Sequence, residues 1–174
     1  MKLFSESLPF YRGNLHAHTT CSDGQKTPKE CMADYRAAGY DFLSITDHRM
    51  VTKPDPAEIP EGLVMIPGIE LDYTMPDQWV HIQGLGVTEA VMDNYDRNGN
   101  PQDGIDRINE CGGLAMLNHP AWSLNPPEYI ASLRFRRGGM ELCFNDSLQC
   151  DPCGLLLFAG CCGEPWCGHV LAGQ

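Results

Sequence analysis

At 174 residues, 43% hydrophobic and 20% charged, the chain is long enough for one domain with a real core, too short for two, and too apolar for wholesale disorder. A formal net charge of −11 with no Lys/Arg run argues against nucleic acid as a partner. No run of 18 apolar residues exists, and Met1 to Tyr11 holds no apolar run behind a basic start, so a cytoplasmic protein with no membrane partner is expected.

In chain order, Gly13 to His18 reads as a short strand entering a polar loop. A helix follows with a well-marked start: Thr27 as N-cap, Pro28 at the first helical position and Glu30 closing a capping box, with Gly39 as the stop. Tyr40 to Thr46 alternates like a strand. The loop Lys53 to Gly62, with three prolines, reads as a stiff surface excursion. Leu63 to Leu71 and Val80 to Val87 read as two further strands. Asp103 to Cys111 is an amphipathic helix closed by Gly112 and Gly113, Leu114 to Leu117 a buried strand, and Asn125-Pro126-Pro127 opens a helix running through Leu133. This rhythm predicts an α/β fold with a mainly parallel sheet.

Histidines and acids fall in a pattern along these elements. His16 and His18 are i and i+2 on one strand, so both imidazoles face one side. Asp23 lies in the turn Cys21-Ser22-Asp23-Gly24. His48 follows the second strand, Glu70 ends the third, His81 lies within the fourth, and His119 follows the buried strand in Asn118-His119-Pro120. Each alone has a bland explanation, a hydrogen-bonded histidine or an ordinary turn acid. The set does not, because the residues recur at strand ends, where ligands converge in α/β sheets and barrels. Mixed imidazole and carboxylate donors suit Zn, Mn or Fe better than Mg or Ca.

His16-Ala17-His18-Thr19, Ser22-Asp23-Gly24, Thr46-Asp47-His48, Pro67-Gly68-Ile69-Glu70, His81 and Asn118-His119-Pro120 together resemble the successive motifs of the polymerase-and-histidinol-phosphatase (PHP) family. Tyr11-Arg12-Gly13-Asn14-Leu15-His16 is similar to its stand-alone branch. The resemblance implies an incomplete, distorted (β/α)7 barrel of the PHP type holding two or three divalent metal ions. It implies that His16, His18 and Glu70 hold one ion, that Glu70 bridges to a second held by His81 and His119, and that Asp23 and His48 serve a third. It further implies a metal-dependent phosphoesterase that hydrolyses a small phosphorylated metabolite or nucleotide through a metal-activated water, with Glu70 holding the ions around that water. Arg49, beside His48, is a candidate to clamp a substrate phosphate, a solvated loop arginine being the alternative.

The sequence also departs from the family. No Asp-x-His pair follows His119, which puts the first and third ions in doubt and leaves a non-catalytic metal-binding fragment as the second reading. Residues 1–133 are expected to form the metal-binding domain and residues 134–174 an aberrant, poorly packed tail. Six of the nine cysteines crowd its last part. Where the family typically has Gly-Phe-Asp-Gly-Val-Glu, the chain has Arg134-Phe135-Arg136-Arg137-Gly138-Gly139-Met140. One codon choice for that heptapeptide encodes the family hexapeptide when read one base later, so a frameshifted reading frame is the favoured expectation. A zinc knuckle of Cys150, Cys153, Cys167 and His169 is its rival, and an ordinary cysteine-rich tail comes last.

Overall fold

The structure is a computed structural model that describes residues 11–136 and, beyond them, the backbone of three short strands. The elements are β1 (Gly13–Asn14), α1 (Pro28–Ala37), β2 (Phe42–Leu43), β3 (Val64–Met65), β4 (Gly68–Met75), β5 (Gln78–Leu85), α2 (Pro101–Glu110), β6 (Leu114–Leu117) and α3 (Pro127–Ser132), then β7 (Gly138–Leu142), β8 (Leu155–Leu157) and β9 (Val170–Leu171). Single 3-10 turns lie at Pro56–Glu58 and Glu89–Met92.

The strands form two sheets. β1, β2 and β3 pair in parallel, with Gly13 opposite Phe42 and Phe42 opposite Val64. The second sheet runs β4-β5-β6-β7-β8-β9 and is mixed: only β6 and β7 are parallel. The mainly parallel sheet expected from the sequence is therefore confined to the smaller one. The expected single strand Leu63 to Leu71 is two strands in different sheets, separated at Ile66-Pro67. Proline has no amide proton for a ladder, so the crossing falls where the second sheet loses least. A single parallel bridge between His48 and Glu70 ties the end of the first sheet's β2 segment to the second.

Local sequence explains the helices. The Thr27 side chain accepts from the Glu30 amide, and Glu30 Oε2 accepts from the Thr27 amide at 2.9 Å, the reciprocal box read from the sequence. α1 then buries Cys31 and Met32 against Ala17, Leu43, Ile45 and Leu63. α2 starts earlier than read, because Asn100 caps it through Gln102 and Pro101 fills its first position.

The β4–β5 hairpin positions the site. Successive side chains of a strand alternate faces. On β4, Ile69, Leu71 and Tyr73 enter the main core together with Val80 and Ile82 of β5 and Ile105 and Ile108 of α2. The opposite face of the same hairpin carries Glu70 and Asp72, paired in register with Gln83 and His81. Both faces are buried, so β4 is sealed from Gly68 through Tyr73. Glu70 is thus the third residue of an eight-residue strand rather than the end of one. The aberrant tail and the cysteine cluster expected for residues 134–174 lie largely outside the described residues; three short strands of that segment extend the large sheet.

The contact between α2 and β4 makes one substitution reverse its usual sign. Gly→Ala inside a helix ordinarily stabilises by about 1 kcal/mol. At Gly104 the added Cβ would meet the Tyr73 hydroxyl and come within 3.0 Å of its ring Cζ. Tyr73 is 3% exposed and cannot swing away. Overpacking of this kind costs roughly 1–3 kcal/mol, so Gly104→Ala should lower the urea midpoint; a raised midpoint would show that the Tyr73 ring yields freely.

Candidate metal centre

Glu70 is the hub. Its side chain is 1% exposed, and four imidazoles converge on it. Oε1 faces His119 Nε2 at 3.3 Å and His16 Nε2 at 3.8 Å. Oε2 faces His18 Nε2 at 3.2 Å and His48 Nδ1 at 3.4 Å. Each carboxylate oxygen thus looks toward a different pair of rings. Asp23 lies beyond the second pair, with Oδ1 3.2 Å from His18 Nδ1 and Oδ2 3.5 Å from His48 Nε2.

Two groups of donors are close enough to share an ion: His16, Glu70 and His119, and His18, Asp23 and His48, all atoms of each group lying within 4.8 Å of one another. His16 Nε2 and His18 Nε2 also approach to 3.4 Å. The structure thus draws His18 toward Asp23 and His48, and His16 toward His119, a partition different from that implied by the resemblance. His81 belongs to neither group. Its ring centroid lies 5.0 Å from that of His119 and 5.9 Å from that of His48, both rings steeply tilted to it, and its Nδ1 meets Ser123.

The spacings themselves test whether a metal fits. Neutral N–H···O bonds cluster at 2.7–3.2 Å, whereas two donors on one ion with bonds of about 2.1 Å stand roughly 3.4 Å apart along a tetrahedral edge. Most of the ring-to-carboxylate separations here match the second figure. His48 Nδ1 is buried and makes no hydrogen bond, although it points at Glu70 and, at 3.6 Å, at Asp72. Separations of this length between a buried ring nitrogen and two carboxylates leave room for a cation between them. Imidazole with carboxylate fits Zn, Mn or Fe.

Electrostatics agree with a carboxylate kept ionised. Burial would raise the carboxyl of Glu70, but His16, His119 and His18 hold it well below the usual range. Burial likewise pushes Asp72 up, and His48, Arg49 and Arg97 outweigh it, bringing Asp72 to about 2. For His48 burial lowers the pKa, and Asp72, Glu70 and Asp23 raise it above its ordinary value. Burial takes His81 down to about 4, so it is a neutral ring.

Outer contacts fix these rings. His16 Nδ1 lies 3.0 Å from Gln83 Oε1 and 3.1 Å from Thr46 Oγ1. A proton on Nδ1 then leaves Nε2 with its lone pair toward Glu70, the arrangement in which metal-bound histidines are held. Asn118 donates to Glu70 Oε1 at 2.6 Å. The loop bearing Asp23 is held by fully buried Asp47, which accepts from the Thr19 amide and hydroxyl at 2.7 Å each, from Ser22 at 2.6 Å, and from Thr52. His119 adopts φ +27°, where non-glycine residues are rare. Such strain persists only where surroundings over-determine it, and it clusters at functional sites.

Arg49 does lie beside the centre, with φ +57°. Its guanidinium pairs with Asp72, as does that of Arg97, whose Nε is 2.8 Å away. Asp72, Gln83, Asn118, Ser123 and Arg97 have no assigned role in the sequence reading. A period-2 signal was available for the first two, since Asp72 is two residues from Glu70 and Gln83 two from His81 on the same face. Nothing local marks Ser123 or Arg97.

No family model matches the chain. It is 35% identical over 80 residues to a 5'-3' exoribonuclease of Haemophilus influenzae, covering 44% of this chain and 29% of that protein. It is 31% identical over 80 residues to a 3',5'-nucleoside bisphosphate phosphatase of Chromobacterium violaceum, covering 44% of this chain and 28% of that one. The aligned region spans less than a third of the length of these curated relatives. Among solved structures, a two-domain Bacteroides vulgatus protein containing a predicted PHP-like metal-dependent phosphoesterase is similar at a TM-score of 0.54 and 21% identity, over 70% of this chain and 40% of that one. The chain shares that α/β fold over most of its length; the described residues by themselves do not close a barrel. Among the described residues no helix is long and apolar enough to cross a membrane.

The geometry yields a stoichiometry. After reconstitution with Zn2+ or Mn2+ and gel filtration, elemental analysis should find more than one equivalent of metal per chain. Glu70→Ala, which removes an oxygen from each side, should lower that number by at least one. A wild-type protein that retains none would count against a metal centre here.

Proposed function

We propose that this chain carries the metal centre of a PHP-type phosphoesterase acting on a small phosphorylated metabolite or nucleotide. One observation supports this reading above the others: a buried carboxylate presents one oxygen to His16 and His119 and the other to His18 and His48. A carboxylate so disposed can bridge two cations. Divalent ions bound there would supply Lewis-acid stabilisation of charge on phosphoryl oxygens and a nucleophile at neutral pH.

The chain's own residues account for the remainder. Glu70 holds the two sides of the centre at a fixed separation. Gln83 and Thr46 orient His16, and Asn118 orients Glu70. Arg49 and Arg97 are both anchored on Asp72, 43% and 48% exposed, and offer N–H groups to a substrate phosphate. Trp122, 69% exposed with its ring 5.1 Å from His119, provides a flat apolar surface beside the centre for an aromatic leaving group. The names of the relatives fit both a nucleotide and an RNA end as substrate. The net charge of −11 favours the smaller one, because a long polyanion would be repelled by most of the surface.

With metal-loaded protein, hydrolysis of p-nitrophenyl phosphate and of adenosine 3',5'-bisphosphate should be abolished by Glu70→Ala. Arg49→Ala should raise KM for the bisphosphate about tenfold, equivalent to roughly 1.4 kcal/mol, with a smaller effect on kcat. Activity unaffected by Glu70→Ala would overturn the mechanism. Metal uptake without turnover of either substrate would favour the non-catalytic reading instead.

A further inference from the structure

A cleft lies apart from the metal centre, on the apolar side of the β4–β5 hairpin. Its volume is about 420 Å³, and it is walled by β4, α2 and the segment around the Glu89–Met92 turn. Glu70 and Asp72 point to the other face of β4, so the cleft shares no side chain with the centre.

The acids of this cleft stand in a row. Asp103, Asp106, Arg107 and Glu110 line it from α2, spaced as one face of a helix. At 1.5 Å per residue, Asp103 and Glu110 are about 10 Å apart along the axis. Asp93 joins them from the facing segment. The single guanidinium present is already engaged: Arg107 bonds the Ala90 carbonyl, Asp93 at 2.9 Å and Glu110 at 3.4 Å. Asp106 accepts only from the neutral amide of Gln102, at 3.1 Å, and Asp103 has no ion-pair partner among the described residues.

A second observation is independent of that charge. Tyr73 is 3% exposed and lines the cleft, and its hydroxyl lies against Gly104 with no hydrogen-bond partner among the described residues. A buried polar group ordinarily has a partner. Burial, and after it Tyr95 and Asp103, push this phenol above its ordinary value, so it stays a neutral O–H near neutral pH. Its oxygen can accept a hydrogen bond from a cation, and its ring attracts positive charge. The Tyr95 ring, 5.4 Å away and edge-on, adds a second aromatic wall.

These features select the ligand. Among the described residues, three metal-ligating side chains come within 4.8 Å of one another only at the metal centre, so the acids of the cleft do not chelate one ion. A row of separated carboxylates suits separated positive charges. Leu71 and Val91 offer apolar surface to the methylenes that would join them. We propose that this cleft is a binding site for a linear alkyl polyammonium ion. One ammonium is held by Asp103 and the Tyr73 hydroxyl, and another, further along α2, by Asp106 and Glu110. The site requires neither the metal centre nor the phosphoesterase reading.

Isothermal titration of the full, metal-free chain with spermidine tests this. Spermidine should bind about tenfold more tightly than n-butylamine, which reaches only one end of the row. Asp103→Asn combined with Asp106→Asn should weaken spermidine about tenfold, as expected for lost charge-assisted hydrogen bonds. Tyr73→Phe, which keeps the ring and its packing, should weaken it about threefold. Glu61→Gln combined with Glu128→Gln removes the same charge outside the cleft and should leave binding unchanged. Equal weakening by the two double variants would reduce the effect to long-range charge and overturn the proposal. So would a wild type that binds no spermidine, or Tyr73→Phe with unchanged affinity. Displacement of spermidine by Mg2+ at matched ionic strength would assign the cleft to a metal ion instead. Should the Asp103 and Asp106 variant fail to fold, Tyr73→Phe decides alone.

Discussion

A carboxylate sealed from water among imidazoles is the constraint around which this molecule is arranged. An isolated buried charge costs several kcal/mol even after relaxation, and Glu70 is 1% exposed. The cost is offset only because each oxygen meets opposing groups: His16, His119 and Asn118 on one side, His18 and His48 on the other. Those partners come from three separated segments, His16–His18, His48 and Asn118–His119. The bridge between His48 and Glu70 is also where the two sheets meet. Site and sheet junction are therefore the same place, and the loops cannot rearrange without disturbing both.

The hairpin β4–β5 resolves the conflict between a polar centre and an apolar core by using its two faces for different purposes. Ile69, Leu71, Tyr73, Val80 and Ile82 bury against α2, and Glu70, Asp72, His81 and Gln83 point the other way. A one-residue slip in register would exchange the two sets, driving two carboxylates into the Ile105–Ile108 core. Register is accordingly strongly specified. Asp47 plays the matching role for the first sheet: with no exposure and four hydroxyl or amide donors, it pins the Thr19–Asp23 loop that carries one carboxylate of the centre.

Much of the site was legible because its residue types are rare and chemically marked. His16, His18, Asp23, His48, Glu70 and His119 could be read as a set, and the structure brings them together around one carboxylate. The capping box of α1 was equally legible, since it is a local hydrogen-bond pattern. Pairing direction was not: β4 and β5 are antiparallel through a tight turn at Pro76-Asp77, a non-local property that apolar patterning does not encode. The break at Ile66-Pro67 was missed because the apolar run continues across it, although the proline is the physical signal. Arg97 and Ser123 were invisible for a different reason. Each meets a partner distant in sequence, Asp72 for Arg97 and His81 for Ser123, and neither residue type is unusual where it stands.

Charge distribution follows from the same arrangement. The chain carries 23 acidic and 12 basic residues, so its far field is negative and would slow an approaching phosphate. Locally the sign differs. Asp72 neutralises only one of the two guanidiniums it holds, leaving Arg49 and Arg97 with a net positive charge beside the centre. Arg97 also lies over the Trp79 ring at 5.4 Å, which fixes its plane without consuming its N–H donors. An anion near the centre would therefore meet a local positive charge at these two arginines despite the negative net charge of the chain. Screening confines such fields to about 8 Å at physiological ionic strength, so the local pair governs the last step of approach and the global charge acts mainly on large polyanions. Under the proposed function, that asymmetry would favour compact phosphorylated substrates over long strands, without requiring any contact that reads the substrate's sequence.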